Sequence, residues 1–232
     1  MRRIDRFQCL DVPHQNQPAD GLVILFHGYG ADAYDLQTLS EVLAPTLNLD
    51  FLFPQGPLEV PIGPGWTGRA WWPIDVESLQ KAAQSGTPRD LSLENPEGLK
   101  TLRPQVQKML SQCGYPLSKV VIGGFSQGAM LATDTYLRTP VPCAGLMILS
   151  GALLCAPDWK ELARARAGQS FFQSHGKSDS VLSHKGAAQL ETALTQGGMK
   201  GHLQTFNGGH EIPMSVLQSA SGYLKSVISK SK

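Results

Sequence analysis

The residues with the clearest capacity for chemistry are Gly124-Phe125-Ser126-Gln127-Gly128, which follow the apolar run KVVIG at 119–123. A G-x-S-x-G turn between a strand and a helix forces the serine into strained backbone dihedrals and lifts its hydroxyl above the sheet. The flanking glycines remove side chains that would collide across so tight a turn. The helix that follows brings its N-terminal N–H groups, with their partial positive charge, to the same place. Such a serine can attack a carbonyl once a base takes its proton. The spacing therefore proposes Ser126 as a nucleophile and asks where its partners are.

In this arrangement the partners follow the serine in the order acid, then histidine. The sequence has six histidines. His14 and His27 precede Ser126. His184 and His202 fall on an expected helix and at the start of an expected strand. His175 closes a strand, with no acid between it and Ser126 at a strand end. His210 lies in Asn207-Gly208-Gly209-His210, a loop after the last strand that can bring an imidazole back over the sheet. Asp179 lies just past the strand expected at 170–174, where an acid can orient that imidazole and stabilise its protonated form. Asp179 also suits the cap of a helix expected to start near Val181, and the two roles are compatible.

Acyl transfer needs two N–H donors aimed at the developing oxyanion. One is expected from Gln127, directly after the serine. The other is expected from Tyr29, in the turn His27-Gly28-Tyr29-Gly30 at the end of the first apolar run. The imidazole of His27 reads as a brace for that loop.

These groups need elements to carry them. Apolar runs at 22–26, 51–53, 119–123, 144–149, 170–174 and 202–206 read as strands, and amphipathic stretches at 35–44, 95–113, 127–137, 158–167, 181–196 and 216–228 as helices. Pro104 marks a kink or restart in the second of these helices, and Asp158 is the expected N-cap of the fourth. Alternating strands and helices imply an α/β fold: one domain over 1–232, with a mostly parallel central sheet, helices on both faces, and the site at the carboxyl ends of the strands. Residues 54–75 (PQGPLEVPIGPGWTGRAWWPID) are too rich in Pro and Gly for regular structure. They are expected to form an ordered loop over the active site, because three of the four tryptophans lie in it. Trp66 and Trp72, with Leu153 and Leu182, are the expected substrate-binding residues. The apolar positions around Leu153, Val181 and Leu182 also suit a contact between two copies, so a monomer or a homodimer is expected.

Bulk properties remove other classes. A formal net charge of +1 gives no electrostatic case for nucleic acid. The four cysteines, Cys9, Cys113, Cys143 and Cys155, form no CxxC pair, so neither a metal nor a redox site is expected and the thiols read as reduced. The N-terminal segment is basic without an apolar run behind it, and no run approaches the ~20 residues that span a bilayer, so a cytoplasmic protein without stable membrane insertion is expected.

Taken together, FHGYGAD (26–32), RAWWPID (69–75), GGFSQGAM (123–130), HGKSD (175–179) and GGHEIP (208–213) resemble the phospholipase/carboxylesterase family of the α/β-hydrolase fold, which includes the acyl-protein thioesterases. RAWWPID looks more like the bacterial carboxylesterase branch. The resemblance implies the triad Ser126, Asp179 and His210, the oxyanion donors Tyr29 and Gln127, and hydrolysis of small acyl esters or thioesters without metal or organic cofactor. Lysophospholipids and long-chain acylated proteins are the alternative substrates. The chain departs from the family at Tyr29-Gly30-Ala31, at Ser180-Val181-Leu182-Ser183, and at Gly151-Ala152-Leu153-Leu154, where animal acyl-protein thioesterases carry a bulkier segment. A dienelactone-hydrolase-like enzyme fits less well, since those usually carry a cysteine nucleophile. A retired binding protein fits less well because the site residues are intact.

Overall fold

Alternating side chains along the central strands explain the layering. In the computed structural model, which describes residues 1–78, 81 and 89–229, strand β3 (Gly21–Phe26) is buried along its whole length. Leu22, Ile24 and Phe26 pack into one apolar cluster with the helices Glu97–Ser111, Gln127–Arg138, Ala156–Arg164 and His184–Gln196. Val23 and Leu25 pack into a second cluster with Leu39–Leu43 and Met214–Ile228. Successive strand residues point to opposite faces, so a sheet covered on both sides reads as a continuous apolar run.

Eight strands form the main sheet in the order β1-β2-β4-β3-β7-β8-β9-β10. Here β1 is Arg2–Ile4, β2 Phe7–Val12, β4 Leu49–Pro54, β7 Val120–Phe125, β8 Gly145–Leu149, β9 Phe171–Gly176 and β10 Leu203–Phe206. The pairs β1/β2 and β2/β4 are antiparallel, and the remaining pairs in this sheet are parallel. After β3 the chain builds outward to β4, then returns to place β7 on β3's other side. The strand order therefore reverses at β3 and β7, and ligands in open α/β sheets bind at the carboxyl ends of such a pair.

Several expected elements take a different form. Residues 54–75 contain an antiparallel hairpin, β5 (Leu58–Gly63) with β6 (Trp66–Ala70). Pro61 lies on β5, an edge strand of this two-stranded ribbon, where proline is tolerated, the register shifts between Pro61 and Gly63, and Gly65 at φ +76° makes the turn. The first helix is only Leu39–Leu43. Helix Glu97–Ser111 runs through Pro104, which faces solvent, where water can satisfy the displaced carbonyl. Asp158 sits in the first turn of Ala156–Arg164 rather than at its N-cap, which is Cys155, and it pairs with Arg138 at 2.7 Å. Helix His184–Gln196 begins later than expected because Ser183 caps it, accepting from the Gly186 N–H. The strands β1 and β2 were not anticipated.

Candidate active site

The turn after β7 has the geometry its glycines imply. Ser126 adopts φ 54°, ψ −118°, a conformation costly for any residue but glycine, and stands at the N-terminus of helix Gln127–Arg138. Its N–H donates to the Leu149 carbonyl at 2.9 Å. A Cβ at Gly128 would overlap the Phe26 carbonyl, and one at Gly124 would crowd Gly128. The turn thus closes against the end of β3 only because both positions lack side chains.

That close approach brings the loop after β3 beside Ser126. The Gly30 N–H donates to Arg69 O at 2.8 Å and the Arg69 N–H to Ala31 O at 2.7 Å, so the hairpin strand β6 braces the loop. Among the described residues neither the Tyr29 nor the Gln127 N–H has a hydrogen-bond acceptor. His27 is buried. Its Nε2 accepts from the Gly56 N–H at 3.0 Å, which leaves the ring proton on Nδ1 to donate to Gly28 O at 2.7 Å. Burial is the dominant influence on this imidazole and lowers its pKa below the usual range.

Two further side chains lock this corner. The Gln127 Oε1 accepts from the Trp71 N–H at 3.0 Å, its Nε2 donates to Trp72 O at 2.8 Å, and the Trp71 indole N–H donates to His27 O at 2.8 Å. Trp71 is buried edge-on to Phe26. Neither role was anticipated: sequence reasoning credited Gln127 with its backbone N–H alone. Replacing Gln127 by Leu leaves two buried backbone groups unpaired, each costing about 1–3 kcal/mol. A loss of about 2–5 kcal/mol in denaturant unfolding is therefore expected, with the backbone donor still present.

On the other side of Ser126, His210 Nδ1 lies 2.7 Å from Asp179 Oδ2, and the His210 ring rests against Phe125 with centroids 4.7 Å apart. The Asp179 Oδ1 accepts from the N–H groups of Val181 at 2.8 Å and Leu182 at 2.9 Å. The acid therefore caps the turn 179–182 rather than the helix itself. Burial, the largest influence on Asp179, pushes its pKa up. Hydrogen bonds from His175 and His210 outweigh that and hold the carboxyl well below the usual carboxylate range. His175 approaches the same Oδ2 at 3.1 Å, a neighbour the sequence did not single out.

Ser126, Gln127, Tyr29 and His210 open on one cavity of about 890 Å³, walled by Trp72, Met130, Leu154 and Leu182 among others. Its volume is near the upper end of ordinary ligand pockets. Two expected lining residues are elsewhere. Trp66 starts β6 directly after the hairpin turn at Gly65, at the far end from the bonds that Arg69 makes to the loop at 30–31, and is 73% exposed. Leu153 lines a separate, smaller cavity with Lys160 and Lys185, while its neighbour Leu154 faces the larger one. The segment after β8 is not helical, so adjacent side chains can point to opposite sides. Among the described residues no group of three or more His, Cys, Asp and Glu is arranged to hold a metal ion, and no helix is long and apolar enough to cross a membrane. All four cysteines are free and buried, and burial pushes the Cys9 and Cys143 thiols up to about 12.

A mixed, mostly parallel sheet with helices on both faces and a strained serine turn at its reversal point defines an α/β-hydrolase fold. Among solved structures, the esterase PE8 superposes with a TM-score of 0.80 at 28% identity, covering 95% of this chain and 99% of that one. Acyl-protein thioesterase 2 of Zea mays shares the fold with a TM-score of 0.73 at 22% identity, covering 95% and 99%. By sequence, acyl-protein thioesterase 1 of Eremothecium gossypii is 32% identical over 226 residues, 93% of this chain and 92% of the relative. That of Candida albicans is 25% identical over 233 residues, 96% and 98%. The phospholipase/carboxylesterase family model matches residues 7–228, and the chain belongs to that family.

Proposed function

We propose that the chain is a serine carboxylesterase or thioesterase, one α/β-hydrolase unit over 1–232, with Ser126 as nucleophile, His210 as base and Asp179 as its orienting acid. The observation that carries this reading is the strained serine opening on the same cavity as an imidazole hydrogen-bonded to a buried carboxylate. In the first half-reaction His210 Nε2 takes the Ser126 proton as Oγ bonds to the substrate's acyl carbon. The N–H groups of Tyr29 and Gln127 stabilise the oxyanion. The C–O or C–S bond then breaks, and the leaving alcohol or thiol departs with the proton from His210. Water repeats the sequence on the acyl-enzyme, releasing the acid and restoring the serine.

The mostly apolar cavity walls favour an acyl chain over a polar substrate. Small acyl esters or thioesters are the proposed substrates, met in the cytoplasm by a monomer or a homodimer. The relatives named as acyl-protein thioesterases, together with the size of the cavity, favour the second reading, in which long acyl chains on lysophospholipids or proteins are accepted. A series of p-nitrophenyl esters from acetate to palmitate separates the two. A kcat/KM that peaks at short chains supports a general carboxylesterase, and one that rises to the longest chains supports the second reading. A fluorophosphonate probe that fails to label Ser126 removes both and leaves a binding protein.

A further inference from the structure

The mechanism proposed above uses one histidine on Asp179, but the carboxylate has two. His175, on β9, is fully buried, and its Nε2 lies 2.8 Å from Leu182 O and 3.1 Å from Asp179 Oδ2. A carbonyl and an ionised carboxylate only accept, so Nε2 carries a proton. Nδ1 is buried with no hydrogen-bond partner among the described residues, and a second proton there would be a donor with nowhere to go. The ring is therefore the Nε2–H tautomer. Its N–H donates to the Leu182 carbonyl and lies against the carboxylate of Asp179, so that one polar group touches both ends of the 179–182 turn. The titratable groups around it are Asp179, His210 beyond that carboxylate, and His184, whose ring stands edge-on at 6.1 Å.

The other bonds to Asp179 show what this one adds. The N–H groups on Oδ1 belong to Val181 and Leu182, in the same short turn as the acid. They fix the carboxylate within its turn but do not fix the turn on the sheet. His175 does, because it sits on a strand whose register is set, opposite Thr205 of β10. The same N–H reaches the carbonyl of Leu182, a residue of the cavity wall.

We infer that His175 is a positioning residue that anchors Asp179 and the 179–182 turn to β9, so that Oδ2 stays aimed at His210 and Leu182 stays in the wall of the acyl site. The inference rests on the proposed roles of Asp179 and His210. His175 touches no reacting atom; it acts through the acid. Its contribution is greatest when His210 becomes positively charged and pulls on a carboxylate that must not move.

The test uses three substitutions. Glutamine places an amide N–H at nearly the reach of the histidine Nε2, asparagine carries the same amide one bond short, and leucine keeps apolar bulk with no donor. His175→Leu and His175→Asn are expected to lower kcat on a short p-nitrophenyl ester by about tenfold to a hundredfold, the scale of one hydrogen bond to a charged group. KM should change little. His175→Gln should recover most of that loss. The downfield Nδ1–H proton resonance of His210, read by NMR in the resting protein, should move in the Leu and Asn variants and return in Gln. That resonance tests the positioning role even if Ser126 proves not to be the nucleophile, since it reports only on the His210–Asp179 pair. If the Leu variant does not fold, the Asn and Gln pair decides. A folded Leu or Asn variant with wild-type kcat and an unmoved His210 resonance overturns the inference. So does a folded Gln variant as slow as Leu, because the bond rather than the bulk is what is claimed.

Discussion

Ser126→Ala is expected to lower kcat by about 10⁶-fold, the scale seen when a serine hydrolase loses its nucleophile. What survives is the part that needs no attack by Oγ: binding and the proposed oxyanion N–H groups, worth together about 10³–10⁴ over water. The substitution leaves the turn intact, because alanine bears the same left-handed backbone as serine at φ 54°. Ser126→Gly sharpens the result. It is equally inactive, but it relieves the backbone strain, so it should be the more stable of the two by about 1–2 kcal/mol in denaturant unfolding. A serine kept where glycine is more stable is the signature of a position held for chemistry. Ordinary turnover by Ser126→Ala removes the nucleophile assignment. Equal stability of the two variants removes the strain argument and leaves the assignment standing.

Asp179→Asn is expected to cost about 10⁴ in kcat, the magnitude found when a triad acid becomes an amide. The neighbours decide how the amide sits. Val181 and Leu182 both donate to Oδ1, so the asparagine oxygen must occupy that position. Its NH2 group then takes the place of Oδ2 and faces His210 Nδ1. A donor there forces Nδ1 to accept, which moves the ring proton of His210 to Nε2, the wrong tautomer for deprotonating Ser126. The same NH2 also meets the Nε2–H of His175, donor against donor. Asp179→Asn should therefore lose stability as well as activity, and circular dichroism at the assay temperature must accompany the kinetics. A folded Asp179→Asn protein with kcat within about tenfold of wild type would show that Asp179 does not set the tautomer of His210.

The sequence by itself determined the strained serine turn, its flanking strand and helix, the two-sided burial of the central strands, and that Asp179 and His210 each lie in a loop just past a strand. Each of these depends on neighbours a few residues apart. Glycine spacing governs how sharply the chain can turn at Ser126, and the unbroken apolar run at 22–26 follows from alternate residues facing two different helix layers. Only the tertiary structure decided what depends on contacts between distant segments. The hairpin of 58–70 forms despite its Pro and Gly because pairing within the ribbon and bonds from β6 to the loop at 30–31 supply what local propensity withholds. Leu153 and Leu154 are indistinguishable as residue types, and only the path of the chain after β8 turns one toward the active-site cavity and the other away from it. Trp66 has the composition of a pocket wall but is carried out to solvent at the tip of the hairpin, beside its turn. The Gln127 side chain finds its partners more than fifty residues away, at Trp71 and Trp72. His175 has no feature in sequence that separates it from a core histidine; its place beside Asp179 arises because β9 and the turn that follows fold back on one another, and the hydrogen bond between them forms only once both are buried.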